Sequence, residues 1–187
     1  MVTARLLKVT IALAATLSIA ACGSSGSSTN PTAGQSPAAS TDATANPYGS
    51  PPPVDPPGPN DTILKVEGGT GGTITYTLSQ LESAGELQTV TIYEPFRKTN
   101  QTFKAVALKD VLTAAGINDT QYIDTLALNN YKYDDLAGKL TSSDALIATE
   151  LDGKPIPIDQ GGPIRLIFKD GTPESTNLDA WNWSLMQ

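Results

Sequence analysis

Few side chains in this chain have the chemistry for catalysis or metal binding. Its 187 residues include one cysteine, Cys22, and no histidine, beside nineteen Asp or Glu and twelve Lys or Arg. The absence of histidine excludes Ser-His-Asp and Cys-His nucleophilic systems and removes the commonest transition-metal ligand. No Gly-x-Ser-x-Gly elbow and no Ser-x-x-Lys occurs, so serine lacks its usual activating partners. Carboxylates and cations remain. Asp134, Asp135, Asp152, Asp159 and Asp170 are candidates for a hydrolytic or calcium site, but no EF-hand spacing is present, and Asp152-Gly153 reads as a turn. The neighbours Asp134 and Asp135 would point to opposite faces of a strand and so form no catalytic pair. Arg97, Lys98, Lys104 and Arg165 are the candidates for holding an anionic ligand. For Arg97 and Lys98 the plainer reading is solvated loop charge. Arg165, between Ile164 and Leu166, reads as the solvent side of an alternating strand.

Cys22 points to an address rather than to a reaction. Arg5 and Lys8 precede "VTIALAATLSIAA", an uncharged run from Val9 to Ala21 that is too short to cross a bilayer and has the layout of a secretory signal. Ile19, Ala20, Ala21 and Cys22 match a bacterial lipobox: a branched apolar residue, two small residues that admit a peptidase, and a thiol that accepts the lipid. Residues 1–21 are therefore expected to be a lipoprotein signal peptide, with Cys22 lipidated and the protein held on the extracytoplasmic face of the cell membrane by its anchor. Removing Arg5 and Lys8 would take the net charge from −7 to about −9, a surface that repels phosphates and argues against nucleic acid. With its thiol used for lipid, the chain has no disulfide to lean on.

The elements that must position the remaining chemistry begin late. Residues 22–60 are rich in Pro, Ser and Gly, contain no Lys or Arg, and lack the apolar content to offset chain ordering. They read as a disordered tether spanning roughly 35 Å as a coil, stiffer near "PPPVDPPGP". Residues 61–187 read as one domain with its own core. "TILKVEG" and "TITYTL" form a hairpin across "GGTGG", which lacks the helix and Gly-Lys-Ser/Thr of a phosphate loop. Ser79 and Glu82 read as the capping box of a short helix closed by Gly85. "LQTVTIY" reads as a strand with Val90 and Ile92 on one face, and "EPFRKTNQT" as a polar loop. Leu108, Val111, Leu112 and Ala115 make one apolar face of a helix stopped by Gly116. "YIDTLALN" and "YKYDDL" pair around Asn129-Asn130, "DALIATEL" turns at Asp152-Gly153, and "PIRLIF" is a further strand. Trp181, Trp183 and Leu185 alternate on one face of a closing strand.

The order of "VALKDVLTAAGI", "TLALNNYKYDD", "ALIATELDGKPIPIDQGGPIRLIF" and "WNWSL", covering most of residues 73–187, resembles the molybdopterin-binding domain of the sulfite oxidase-type oxidoreductases. The resemblance implies an α+β fold, mixed and β-rich, with a curved sheet, a few short helices and a pterin-cradling cleft. It also implies a molybdenum-binding cysteine in the loop after the strand that corresponds to "LQTVTIY". Here that loop has Tyr93, Glu94, Pro95 and Phe96, and no other thiolate exists to supply the soft ligand. The stretch between Phe168 and Trp181 is also short for the family.

The expectation is therefore a non-catalytic ligand-binding or interaction module that has kept the fold and lost the metal, with a small anionic ligand or an envelope protein as partner and no cofactor. The alternative is a molybdopterin-dependent oxidoreductase without thiolate ligation. A carboxylate-based site is the third reading.

Overall fold

The computed structural model describes residues 55–187. The expected signal peptide, Cys22 and all but the last six residues of the tether lie outside them. The opening hairpin is present, with β1 (Leu64–Val66) antiparallel to β2 (Ile74–Tyr76). The helix α1 (Leu78–Glu82) follows, but its capping box is Thr77 with Gln80 rather than Ser79 with Glu82. The Gln80 N–H donates to the Thr77 hydroxyl, and the Thr77 N–H donates to the Gln80 carboxamide at 2.9 Å. Thr77 is the last extended residue before the helix, which places the box two residues earlier, and Ser83 rather than Gly85 ends it.

β3 (Gln88–Glu94) runs into β4 (Thr99–Ala107), a nine-residue strand whose first four residues the sequence reads as part of a polar loop. Only residues 95–98 make the turn, and the polar side chains Thr99, Asn100, Gln101 and Thr102 lie at its solvent end. α2 (Leu108–Ala114) buries Leu108, Val111 and Leu112, with Ala115 sealed beyond it, and packs across the sheet as its periodicity requires. β5 (Tyr122–Leu126) and β6 (Lys132–Leu136) form a two-stranded ribbon whose turn includes Asn130 at φ 64°. A helix that the sequence reading omits, α3 (Ala137–Ser142), follows and buries Ala137 and Leu140.

β7 (Ala145–Leu151) is the centre of the main sheet. It pairs with β4 on one side, while on the other its two ends pair with β8 (Lys154–Pro155) and β9 (Arg165–Phe168). The β7–β8 turn uses Asp152 at φ 50° and Gly153 at φ 73°, the left-handed pair that such a tight hairpin demands. β3 is the free edge, and there the Tyr93 N–H donates to the Asp170 carboxylate at 3.0 and 3.2 Å.

The C-terminal segment stitches these parts together without forming the expected regular strand. Residues 181–185 are all buried, so no face alternates to solvent, and Ser184 sits at φ 54°. Leu166 donates to the Asn182 carbonyl, Leu185 to that of Ile164, Lys65 to that of Met186, and Leu126 to that of Gln187. The segment thereby joins β9, β1 and β5. Among the described residues, the buried hydrophobic core lies between Ile63 and Leu185.

Candidate functional site

The inward face of β3 presents Val90, Ile92 and then Glu94, because residues two apart on a strand share a face. Glu94 is fully buried and held from three directions. Its carboxylate accepts the backbone N–H of Arg97 and, at 2.9 Å, an Nη2–H of Arg165. Its own carbonyl accepts the Lys98 N–H at 2.8 Å, closing the turn in which Lys98 takes φ 55°.

Arg165 reaches Glu94 from β9 and is 1% exposed, which overturns its placement on the solvent side. All four residues of β9 are buried, so the strand is covered on both faces and has no outward position to offer. The guanidinium lies over the Trp183 ring at 4.1 Å and near Phe103 at 5.8 Å, and it donates to the Gln160 carbonyl at 3.1 Å. Phe96 meets Trp183 edge-on at 5.3 Å. Gly161, at φ 87°, lets the backbone pass Trp183, where an added Cβ would stand 2.9 Å from the ring. Arg165 Nε and Trp183 Nε1 have no protein acceptor.

Burial pulls the Arg165 guanidinium down to about 10, against the pull of Glu94. It therefore stays charged at neutral pH and cannot serve there as a base. With Glu94 accepting from Arg165 and from the Arg97 N–H, this arrangement holds the β3–β4 turn against β9.

The structure brings the Arg97 backbone N–H and the Arg165 guanidinium to the same carboxylate, while the Lys98 and Lys104 side chains lie elsewhere. Lys98 is exposed. Lys104 lies 3.2 Å from Glu82 and 2.8 Å from Glu150, which raise its pKa and tie α1 to the sheet. Glu94 was missed as a site residue, although continuing the Val90–Ile92 alternation by one step would have pointed it inward.

Of the candidate carboxylates, Asp170 accepts the Tyr93 N–H and Asp152 the Thr102 N–H at 3.3 Å. Among the described residues, no three His, Cys, Asp or Glu converge as a metal site.

A second charged cluster joins β6, α3 and the 3-10 turn Pro173–Thr176. Lys139 Nζ bridges Asp135 at 2.6 Å and Glu174 at 3.1 Å; the Tyr133 hydroxyl donates to Asp135 at 2.7 Å; and Asn177 donates to Glu174 at 2.6 Å. Burial and the facing carboxylates push the Tyr133 hydroxyl up, while Asp135 and Glu174 push the Lys139 ammonium up. Burial pushes the Asp135 carboxyl up, but Lys139, Tyr133 and the Leu136 N–H together hold it below the usual range.

Comparison with known proteins connects this geometry to a family. Residues 49–171 match the model of the oxidoreductase molybdopterin binding domain. The crystal structure of the sulfane dehydrogenase SoxCD from Paracoccus pantotrophus shares the β-rich fold, with a TM-score of 0.54 and 14% sequence identity over 71% of this chain. The alignment covers 38% of that chain. A search of curated proteins finds no match.

The residues here do not fit the metal end of the family's cofactor. The turn after β3 offers a carboxylate already paired with Arg165 and no sulfur, and the interior around Arg165 is packed with Phe96, Phe103 and Trp183. In fold and in sequence pattern, with a buried ion pair behind the turn where the family resemblance implies a thiolate, this chain belongs to the oxidoreductase molybdopterin-binding domain family.

Proposed function

We propose that this protein is a lipid-anchored, extracytoplasmic binding module of the molybdopterin oxidoreductase fold that does no metal chemistry. The observation that carries the reading is the sealed Glu94–Arg165 pair behind the turn after β3, in a chain whose single cysteine stands at position 22. A buried carboxylate committed to a guanidinium and a backbone N–H is not available to a metal, and opening the turn would strand both charges in a low dielectric. The Ile19-Ala20-Ala21-Cys22 run supports the anchor, and the acidic balance supports the absence of nucleic acid partners.

The test is the molybdenum content of the full-length protein purified from the membranes of a host that makes the cofactor. Metal far below one atom per chain is the expected result. Near-stoichiometric metal would overturn the reading and establish a molybdopterin-dependent oxidoreductase without thiolate ligation. Mass spectrometry of the mature N-terminus checks the anchor on the same sample, where a diacylglyceryl group on Cys22 is expected and an unmodified, uncleaved leader would refute it.

A further inference from the structure

We propose that the cavity between β1, α2 and β5 is a binding site for a small, neutral, apolar molecule of about ten carbons, an aliphatic chain or a fused aromatic ring. The inference names the ligand class of the binding module proposed above and rests on that reading for its role, whereas the cavity itself does not depend on it.

The walls come from elements already placed. β1 contributes Leu64 and Val66, α2 contributes Val111 and Leu112, and Ile117 and Ile123 add to the apolar lining. The volume is about 260 Å³. Away from the cavity the core is sealed, with Leu81, Phe103, Leu140, Ile164 and Phe168 all at 0% exposure. Protein interiors pack to the density of organic crystals, and the apolar wall of this half-open cavity lacks the neighbours that such packing would give it. A cavity of about 150 Å³ takes benzene, so by proportion this one has room for a ligand of roughly ten carbons.

The mouth decides the charge of the occupant. Lys65, Glu67, Gln121 and Asp124 stand there. Lys65 is held by Glu67 at 2.7 Å, and Asp124 is met by Lys132 at 3.5 Å. Each of these cations already faces a carboxylate, so an acid head group entering the cavity would give up its hydration without gaining a free cation to pair with. A neutral molecule meets no such penalty.

The experiment uses residues 23–187, which retain every described core residue, free of detergent and with a dispersed methyl spectrum as the check that the chain is folded. 1-Naphthol, a neutral fused bicycle of matching size, is titrated while methyl resonances are followed by NMR, with 1-naphthoate as the charged comparator. Saturable one-site binding is expected, with shifts confined to the methyls of Val66, Val111, Leu112, Ile117 and Ile123, and 1-naphthoate weaker by about tenfold or more. Ile123→Trp and Val66→Trp fill the cavity from two different strands, and each folded variant should lose at least about tenfold in affinity.

Absence of saturation, shifts centred elsewhere, equal binding of the anion, or unchanged binding in a folded filled variant would each overturn the proposal. Should both variants fail to fold, the wild-type methyl map alone decides. Molybdenum is measured on the full-length protein in parallel. Metal there together with naphthol binding here refutes the metal-free module and leaves the cavity site standing. No metal and no binding does the reverse.

Discussion

Glu94 with Arg165, and Glu174 with Lys139, are both ion pairs that join segments distant in sequence, yet they sit in opposite surroundings. The first is 0% and 1% exposed and has two aromatic faces and a backbone carbonyl as its other company. In the second, Glu174 is 4% exposed but Lys139 is 48% exposed, and each carboxylate there has a further hydrogen bond from a tyrosine, an amide or the backbone. The difference shows what a buried charge depends on. The surface cluster can lose a member and let water substitute, whereas the interior pair has no substitute and stands or falls with its partner.

Removing half of the interior pair should have the largest effect. Glu94→Ala leaves the Arg165 charge unpaired among Phe103 and Trp183 and is expected to cost about 3–5 kcal/mol in denaturant unfolding. A loss under about 1 kcal/mol would mean that water reaches the guanidinium and that the site is more open than described.

Removing both charges tests the same contrast from the other side. Glu94→Leu combined with Arg165→Met should return stability to within about 1 kcal/mol of the original chain, because apolar groups of similar volume need no desolvation. A double variant as unstable as Glu94→Ala would show that the hydrogen bonds to Arg97 and Gln160, rather than the charge pairing, hold the turn.

The smallest effect belongs to the half-wet cluster, where Lys139→Ala is expected to cost about 1 kcal/mol or less once solvent screening is allowed for. Its signature is the pH dependence. Asp135 is held below its ordinary value, so its contribution is present above about pH 3.9 and is lost as the pH falls through the lower folded value. Lys139 is raised, so its contribution is present below about pH 10.4 and is lost as the pH rises through the higher folded value. In unfolding curves taken across this range, Lys139→Ala should flatten both limbs; unchanged limbs would refute the coupling.

Much of the fold was legible where a single physical rule decides. The 108, 111, 112 and 115 spacing fixes the face of α2, and Asn130, Asp152 and Gly153 supply the left-handed geometry that their turns need. The site was less legible because it depends on which faces are covered. Alternation placed Arg165 in solvent, but "PIRLIF" offers no other polar residue to alternate with, and an unbroken apolar run is the mark of a strand buried on both sides. The first four residues of β4, Thr99 to Thr102, read as a loop because they are polar, and only the pairing with β3 and β7 reveals the longest strand among the described residues. The C-terminal tryptophans read as a strand because alternation ignores the bend at Ser184.

The hydrogen bond from the Tyr93 N–H to Asp170 bears on how this molecule behaves in company. With Tyr93 turned away from β4, the outward backbone groups of β3 form a row onto which another extended chain could zip. Asp170 occupies one position of that row and sets a carboxylate where an incoming strand would bring its carbonyls. Self-association along this edge must therefore first displace a charge, and crowding many copies together raises the number of encounters without opening a route to fibrous growth.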